Sequence, residues 1–236
     1  MKKRCIISVG VGSWYPRGID RLLHSLTEVY KDDLNKRTFD TFFWRDNYPP
    51  GSPSHDEIPD AFKSYAFQYV MERGYTTILW LDASCWAVSP VEPIFEKIEK
   101  DGHLFWLNGW NIGQWCKDSA VETLHMTREG SFALPDITGQ HFGVDYTCPR
   151  SKAWTDEFIQ ICQDGKTLSG PFNGLRGVAL GEISTDPRVL GHAHEQTVAS
   201  ALVHHHKMQP TAYGDCLYHL ASSVPQANSI ILAAGM

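Results

Sequence analysis

The sequence predicts an α/β fold in which a mostly parallel sheet carries helices on both faces. Segments with the length and apolar character of strands alternate with segments of helical periodicity along the 236 residues. Residues 76–81 (TTILWL) show no polar alternation, which is typical of a strand buried on both faces. This strand leads directly into Asp82, and ligands of open α/β sheets bind beyond the carboxyl ends of the strands. Asp82 is therefore the first candidate functional residue.

In the first half of the chain, local signals predict each element. These are, in order, a strand at residues 5–9, a helix from Ile19, a strand at 37–44, a proline-rich loop at 47–59, and a helix at 59–73. Pro59 suits the first turn of that helix, and Gly74 suits its end. The central strand then follows without a linker.

In the second half, Ser89-Pro90-Val91-Glu92 has the pattern of a capping box with proline at the first helical position. It predicts a helix that ends near Gly102. The remaining predictions are a strand at 103–107 broken at 108–111, one short helix within 111–135, a loop and strand at 136–146, a helix at 151–163, a long mobile loop at 169–187, and a helix at 194–206.

Composition limits the function classes. The length allows one large α/β domain or two small ones, and the net charge of −6 argues against a general nucleic-acid binder. No apolar run approaches the roughly 20 residues that span a bilayer. Gly10, Gly12 and Pro16 interrupt the apolar stretch behind the basic N-terminus, which argues against a signal peptide. The six cysteines show no C-x-x-C spacing, so we expect reduced thiols and a cytoplasmic location.

Two short motifs lie where strands end. Gly10-x-Gly12 follows the first strand, but Tyr15 replaces the third glycine of a dinucleotide fingerprint, which leaves either another nucleotide-binding turn or a merely tight turn. Asp82-Ala83-Ser84 follows the central strand. A cation held by carboxylates can neutralise a departing diphosphate, but Ser84 is a weaker ligand than a carboxylate. Asp82 alone can also be a simple strand-end cap.

Residues 78–98 (ILWLDASCWAVSPVEPIFEKI) resemble the central motif of the GT-A-fold glycosyltransferases, especially the glycogenin and galactosyltransferase-like group. In that group a hydrophobic strand ends in Asp-x-Asp and a helix follows a proline. Further similarities lie at Tyr15-x-x-Gly18, at Lys63, at His141-Phe142-Gly143-Val144 and at Glu195-Gln196, and the resemblance spans roughly residues 5 to 205. It implies one GT-A-like domain over residues 1–236, with a nucleotide-binding half (1–110) and a half for the donor sugar and acceptor (111–236).

The chain departs from the family pattern at four places. Asp-x-Asp is Asp82-x-Ser84, the family's asparagine before Ala-Gly is His141 or Gln140, and the late metal-binding histidine finds its best positional match in His219. The closing Lys-Pro-Trp segment is absent. Ser84 therefore weakens the expectation of Mn²⁺ or Mg²⁺, for which Asp82 and His219 are the candidate ligands.

The resemblance implies a transferase that moves a sugar from a nucleotide-diphosphate sugar, with UDP as the expected carrier, to a carbohydrate or glycoconjugate acceptor. Val11, Gly12 and Tyr15 would hold the base, with Lys63 near the ribose or phosphates, and Asp82 and Ser84 beside them. Glu195 would orient or activate groups at the reacting carbon, and His141 or Gln140 would position the sugar. Without a metal, Lys63, Arg176 or Arg188 must neutralise the diphosphate, and residues 169–187 would form a lid.

Histidines and tryptophans offer weaker signals. His204, His205 and His206 point in different directions around a helix, so we expect a solvated helix end there and not a metal site. Trp106 is expected in the core, whereas Trp110 and Trp115 suit a sugar site as well as a core.

Two other function classes stay open. A sugar-phosphate nucleotidyltransferase shares the fold, but Ser13-Trp14-Tyr15 lacks the arginine that its glycine-rich loop requires. A non-catalytic nucleotide-sugar-binding or scaffold protein is the second class, and Ser84 is the residue that favours it. The sequence does not predict an oligomeric state.

Overall fold

The computed structural model describes residues 2–170, 180–212, 217–219 and 229–233. Its central sheet has the order β2-β1-β3-β6-β5 and comprises β1 (Arg4–Gly10), β2 (Phe39–Arg45), β3 (Thr77–Leu81), β5 (His103–Asn111) and β6 (Pro135–Asp145). β1 pairs in parallel with β2 and β3, while β6 is antiparallel to β3 and β5. Four of these strands therefore run in one direction and β6 in the other, which confirms the mostly parallel sheet.

A second, smaller sheet follows the end of β3. It has the order β4-β8-β7 and comprises β4 (Cys85–Ala87), β7 (Leu217–His219) and β8 (Ile231–Ala233). Asp82, Ala83 and Ser84 alone connect β3 to β4. The candidate Asp82 thus lies at the junction of the two sheets.

Helices cover both faces of the central sheet. They are α1 (Tyr15–Tyr30), α2 (Phe62–Met71), α3 (Glu92–Asp101), α4 (Asp118–Thr123), α5 (Arg128–Ala133), α6 (Pro149–Asp164), α7 (Leu180–Ile183) and α8 (His194–His205). Ile78 and Trp80 of β3 face a core shared with α2, α6 and α8, whereas Leu79 and Leu81 face a core shared with α1 and α3. Because alternate side chains of a strand point to opposite faces, a strand buried on both sides must be apolar throughout. The predicted α/β fold is confirmed.

Element boundaries differ from the sequence predictions where local motifs compete with packing. α1 begins at Tyr15, four residues before the predicted start, with Pro16 in its first turn. α2 begins at Phe62, so Pro59 lies in the preceding turns and not in the helix. α3 begins at Glu92 with Pro93 in its first turn and has no side-chain cap, so the capping box predicted at Ser89 was wrong.

The region after β3 is more regular than predicted. β5 continues to Asn111 because Gly109 adopts a left-handed conformation (φ 87°) and the register with β6 shifts around it. Residues 111–135 hold α4 and α5 where one helix was predicted. Residues 171–179, nine of the nineteen in the loop predicted at 169–187, lie outside the described residues, and α7 occupies part of the remainder.

Two further predictions concern the state of the cysteines and the presence of membrane-spanning segments. Cys5, Cys85, Cys116, Cys148 and Cys162 are free thiols, whereas Cys216 lies outside the described part of the chain. Among the helices that are described, none combines the length and the apolar character needed to cross a lipid bilayer.

One close contact fixes α1 against the junction after β3. A Cβ atom added at Gly18 would lie 2.1 Å from the carbonyl oxygen of Ala83, far inside van der Waals contact. Only glycine lets the helix approach the segment Asp82–Ser84 this closely. The first loop and the central strand end are thereby held side by side.

We expect Gly18→Ala to destabilise the chain by about 1–3 kcal/mol, because the methyl group forces α1 away from Ala83. Thermal unfolding checks this, with His24→Ala, an exposed position on the same helix, as the control. The control should change stability by less than about 0.5 kcal/mol. Equal melting temperatures for the two variants would contradict the close contact.

Candidate active site

A cleft of about 620 Å³ lies beyond the carboxyl ends of β1 and β3. Its walls come from the β1–α1 loop, the segment before α2, the residues after β3, the end of β5, the middle of β6 and the start of α8. Clefts that bind small ligands typically measure roughly 300–1,000 Å³. The cleft therefore has the position and size of a ligand site in an α/β fold.

Lys63 forms the floor of this cleft. It occupies the first turn of α2, and its side chain is 6% exposed. Its Nζ donates to the carbonyl oxygen of Gly139 at 2.9 Å and to Oε1 of Glu195, and it lies 3.6 Å from Oδ1 of Asp82. One ammonium thus joins α2, β6, α8 and the exit of β3.

The backbone around Lys63 holds its partners in place. The N–H of Asp82 donates to the carbonyl of Gln140 at 2.7 Å, which extends the pairing of β3 and β6 by one residue. The indole N–H of Trp80 donates to Oδ1 of Asp82 at 2.8 Å. Glu195 lies in the first turn of α8, where a carboxylate interacts favourably with the helix dipole.

A third carboxylate, that of Asp60, acts on the same ammonium. Asp60 adopts a left-handed backbone conformation (φ 59°) just before α2, and its Oδ1 lies 3.4 Å from Nδ1 of His55. The hydrogen bond to Asp60 raises the pKa of His55. Burial alone would raise the pKa of Asp60, but His55 and Lys63 outweigh it and lower that pKa.

The group has more carboxyl groups than ammonium groups. Burial alone would lower the pKa of Lys63, but Asp82, Glu195 and Asp60 outweigh burial and raise it, so Lys63 stays charged. Burial raises the pKa of Asp82 and raises that of Glu195 well above its usual value, although Lys63 opposes both shifts. Three carboxyl groups therefore compete for one ammonium, and Glu195, which is the most deeply buried by side-chain exposure, holds its proton most tightly.

Two amide side chains of the cleft donate to the same buried carboxyl group, that of Asp136, which with its hydrogen bonds forms the Asp136 anchor. Asn108 and Gln196 both donate to Oδ2 of Asp136 at 2.7 Å, and Ser200 donates to its Oδ1 at 2.5 Å. Burial raises the pKa of Asp136 to about 6, and these hydrogen bonds oppose the shift. Because Gln196 accepts from the N–H of Gly139 at 2.9 Å, its carboxamide is fixed in one orientation beside the floor of the cleft.

Aromatic rings form the outer walls. Tyr15 (53% exposed) lies beside Val11 and Gly12 on one side, and Trp110 (48% exposed) packs edge-to-face against Trp115 at 5.7 Å on the other. The N–H of Trp110 donates to Oδ1 of Asn108 at 3.0 Å, which links this wall to the Asp136 anchor. Trp106, in contrast, is fully buried in the core.

Seven of the residues singled out by sequence line the cleft together. They are Val11, Gly12, Tyr15, Lys63, Asp82, Gln140 and Glu195. They come from six separate elements or loops, and the sheet topology brings them to one edge. Trp110 and Trp115 join them as the candidate sugar-stacking residues.

The structure places three other candidates away from the cleft. His141 is fully buried and lies edge-to-face on Trp106 at 5.0 Å, because its side chain points to the opposite face of β6. Ser84 is buried outside the lining, since the chain turns after Asp82 with a 2.9 Å hydrogen bond from the N–H of Cys85 to the carbonyl of Asp82. Arg188 pairs with Asp186 and Glu129 in a separate surface depression, and Arg176 lies outside the described residues.

His219 is described only through its backbone. It ends β7, and both His219 and Cys85 are in register with Ala233 of the strand between them. Two strand spacings of about 4.8 Å each separate it from β4. Its part in binding a metal stays a prediction.

The sequence analysis missed Asp60, His55 and the Asp136 anchor. Asp60 and His55 belong to the loop before α2, and nothing in a proline-rich loop indicates that two of its side chains face Lys63. Asp136 opens a strand, where an acidic residue is ordinarily exposed. The one signal that could have identified Asp136 is the presence of an acidic residue in an otherwise buried strand.

Removing the ammonium and removing one carboxylate should have opposite effects on stability. We expect Lys63→Met to destabilise by about 3–5 kcal/mol, because it leaves buried carboxylates without a cation. Glu195→Gln should be neutral or stabilising, because Asp82 and Asp60 still balance Lys63. Urea unfolding at neutral pH measures both.

The pH dependence of the same two proteins provides the control. The folded chain retains a proton on Glu195 that the unfolded chain releases above about pH 4.5, so stability falls as the pH rises above that value. Glu195→Gln lacks this linkage, so its advantage should be small at about pH 4 and larger at about pH 8. A Glu195→Gln protein that is less stable than the unchanged chain at both pH values would contradict the charge balance described above.

Comparisons with known proteins agree with this architecture. No protein-family model matches the sequence, and no curated protein matches it. The crystal structure of a glycosyltransferase involved in the glycosylation of the major capsid of PBCV-1 superposes with a TM-score of 0.52 at 11% identity, over 98% of this chain and 94% of that one. The crystal structure of apo mouse xyloside xylosyltransferase 1 has a TM-score of 0.49 at 10% identity, over 98% and 97% of the two chains. The superposition with the PBCV-1 structure shows that the chain has a GT-A-like fold.

Proposed function

We propose that the protein is a glycosyltransferase that moves a sugar from a nucleotide-diphosphate sugar to an acceptor hydroxyl. The observation that carries this proposal is the cleft beyond β1 and β3, where Lys63 and Asp82 meet Glu195 and Gln140 between two aromatic walls. The GT-A-like fold supports it, since that fold places its donor at this edge of the sheet.

Tyr15 is the proposed contact for the nucleotide base. Its ring is half exposed at the rim of the cleft, beside the backbone of Val11 and Gly12. α1 begins at Tyr15 with no side-chain cap and no acidic residue in its first turn, so the positive end of its helix dipole favours an anion nearby. An aromatic face next to such a helix start suits a base that is followed by phosphates.

The diphosphate needs more positive charge than the floor of the cleft provides. Lys63 is one cation against the carboxyl groups of Asp60, Asp82 and Glu195, so a bare diphosphate would be repelled. We propose that Mn²⁺ or Mg²⁺ accompanies the donor. Such ions are commonly bound by one or two carboxylates together with substrate phosphates, and the chemistry of Asp82, whose side chain is 27% exposed, fits this role. Ser84 does not contribute, because it lies outside the cleft.

Gln140 and Gln196 are the proposed contacts for the donor sugar, and Trp110 with Trp115 for the acceptor. Amides fixed by the Asp136 anchor offer hydrogen bonds to sugar hydroxyls, and the apolar faces of sugars pack on aromatic rings. Between them, the acceptor oxygen forms a bond to the anomeric carbon and the bond to the diphosphate oxygen breaks. Glu195 is the proposed group that orients the acceptor hydroxyl. Because Glu195 already holds a proton, the proton of that hydroxyl passes to the departing diphosphate oxygen.

A thermal-shift panel of UDP-, GDP-, CMP- and dTDP-sugars, each with Mn²⁺ or with EDTA, tests the donor site. At 100 times its dissociation constant, the correct donor should stabilise by about 2.7 kcal/mol, which raises the melting temperature of a chain this size by roughly 5–10 °C. Asp82→Asn should abolish the part of the shift that depends on Mn²⁺. If no nucleotide sugar raises the melting temperature, the transferase proposal is contradicted and a scaffold protein is favoured.

Tyr15→Ala and Trp14→Ala form a matched pair for the same panel. Both residues are exposed aromatics at the start of α1, but only Tyr15 lines the cleft. Stacking of an aromatic ring on a base contributes about 1–3 kcal/mol, so Tyr15→Ala should weaken donor binding roughly ten-fold or more. Trp14→Ala should leave it unchanged.

Trp110→Ala separates the acceptor from the donor. We expect kcat/KM for the acceptor to fall at least ten-fold, because the exposed ring of the wall is lost, while the thermal shift with the donor stays the same. Steady-state kinetics with the donor at saturation measures the effect. A weaker donor shift with unchanged acceptor kinetics would instead assign Trp110 to the donor sugar.

A further inference from the structure

A second group of metal-binding side chains lies between α6 and α8, away from the cleft. Glu157 is on α6, His205 is the last residue of α8, and His206 follows it. One ligand atom of each lies within 4.8 Å of the other two, and Nε2 of His206 is 2.8 Å from Oε2 of Glu157. Of the residues that the structure describes, these three form the cluster with the spacing of a metal site.

The end of α8 explains why two consecutive histidines converge. Neighbours within a helix point about 100° apart, since a helix has 3.6 residues per turn. His206 lies past the last helical residue, with φ −82° and ψ 6°, and its ring is 5.1 Å from that of His205. His204 turns away, and its Nε2–H donates to the carbonyl of Pro135 at 2.7 Å. The predicted divergence therefore holds for His204 and fails for the other two.

The donor set selects a class of metal. Two imidazoles and one carboxylate suit Zn²⁺ and related transition metals, whereas Mg²⁺ and Ca²⁺ prefer oxygen ligands. Ligands about 2.0–2.2 Å from Zn²⁺ in a tetrahedron are roughly 3.3–3.5 Å apart. Rotation of the exposed His205 side chain can close the present separations to that range.

The surroundings leave a fourth position open. Glu157 and His205 line a surface groove together with His125, Asp156 and Gln160. The groove gives solvent access to Glu157 and His205, so a water molecule can complete the tetrahedron. α6 and α8 are in contact beneath the site, where the indole N–H of Trp154 donates to the carbonyl of Ala199 at 3.3 Å.

We propose that Glu157, His205 and His206 form a binding site for a transition-metal ion, with Zn²⁺ as the best match. The ion ties the end of α8 to α6. α8 carries Glu195 in its first turn, so the metal fixes the far end of the helix that contributes to the floor of the cleft. The site is independent of the proposed transfer reaction.

Calorimetric titration of the EDTA-treated, dialysed full chain with Zn²⁺ tests the site. We expect one ion per chain at this site and a melting temperature that rises with Zn²⁺. His205→Ala and Glu157→Gln should each weaken binding at least ten-fold and remove the rise. His24→Ala, which removes an exposed histidine of α1, should bind as the unchanged chain does.

Titration with Co²⁺ gives a second readout. Four-coordinate Co²⁺ absorbs visible light far more strongly than the aqueous ion, so the unchanged chain and His24→Ala should develop colour and the two site variants should not. The proposal is overturned if the unchanged chain binds no Zn²⁺. It is also overturned if His205→Ala and Glu157→Gln bind Zn²⁺ as tightly as the unchanged chain.

Discussion

The buried ammonium of Lys63 is the interaction on which the candidate site depends. It joins two helices, a strand and the segment after the central strand through Gly139, Glu195 and Asp82. A buried charge is tolerated only where partners surround it, and here the partners exceed it in charge. The same arrangement therefore costs folding free energy and fixes the geometry of the cleft. Buried groups whose pKa values are shifted by burial and by neighbouring charges are characteristic of functional sites. A surplus of buried carboxyl groups does not stabilise the fold.

The fold beneath this site serves to deliver those groups to one edge. β3 is buried on both faces, so only the residue after it can carry a functional side chain, and that residue is Asp82. Gly18 lets α1 approach the next residue closely enough to place the first loop beside Asp82. β6 runs against its neighbours and contributes its middle, Gly139 and Gln140, instead of an end. A cleft thus forms where a parallel sheet is interrupted by one antiparallel strand.

Much of this arrangement can be predicted from the sequence, and there are physical reasons why the rest cannot. Apolar patterning identified β1, β3 and α1, because burial alone sets that pattern. The sequence also named Asp82 from its place at the end of a buried strand, and it named Lys63 and Glu195 through their resemblance to a family pattern. It did not show that His141 points into the core while Gln140 faces the cleft. Adjacent side chains of a strand point to opposite faces of the sheet, so an error of one residue in register exchanges the two faces. Nor did it reveal Asp60 or the convergence of His205 and His206, because both depend on where a helix begins or ends.

Charge balance is the strongest constraint on the chemistry of the cleft. An enzyme that transfers a group from a diphosphate must stabilise a dianionic leaving group, yet Lys63 is already outnumbered by Asp60, Asp82 and Glu195. A proton on Glu195 removes one negative charge, and His55 can add a positive one because Asp60 raises its pKa. Neither of these two changes supplies as much positive charge as a divalent cation that binds together with the phosphates. The surplus of carboxyl groups is therefore itself a reason to expect a cation in the working site, even though Ser84 replaces the second acidic residue of the family motif.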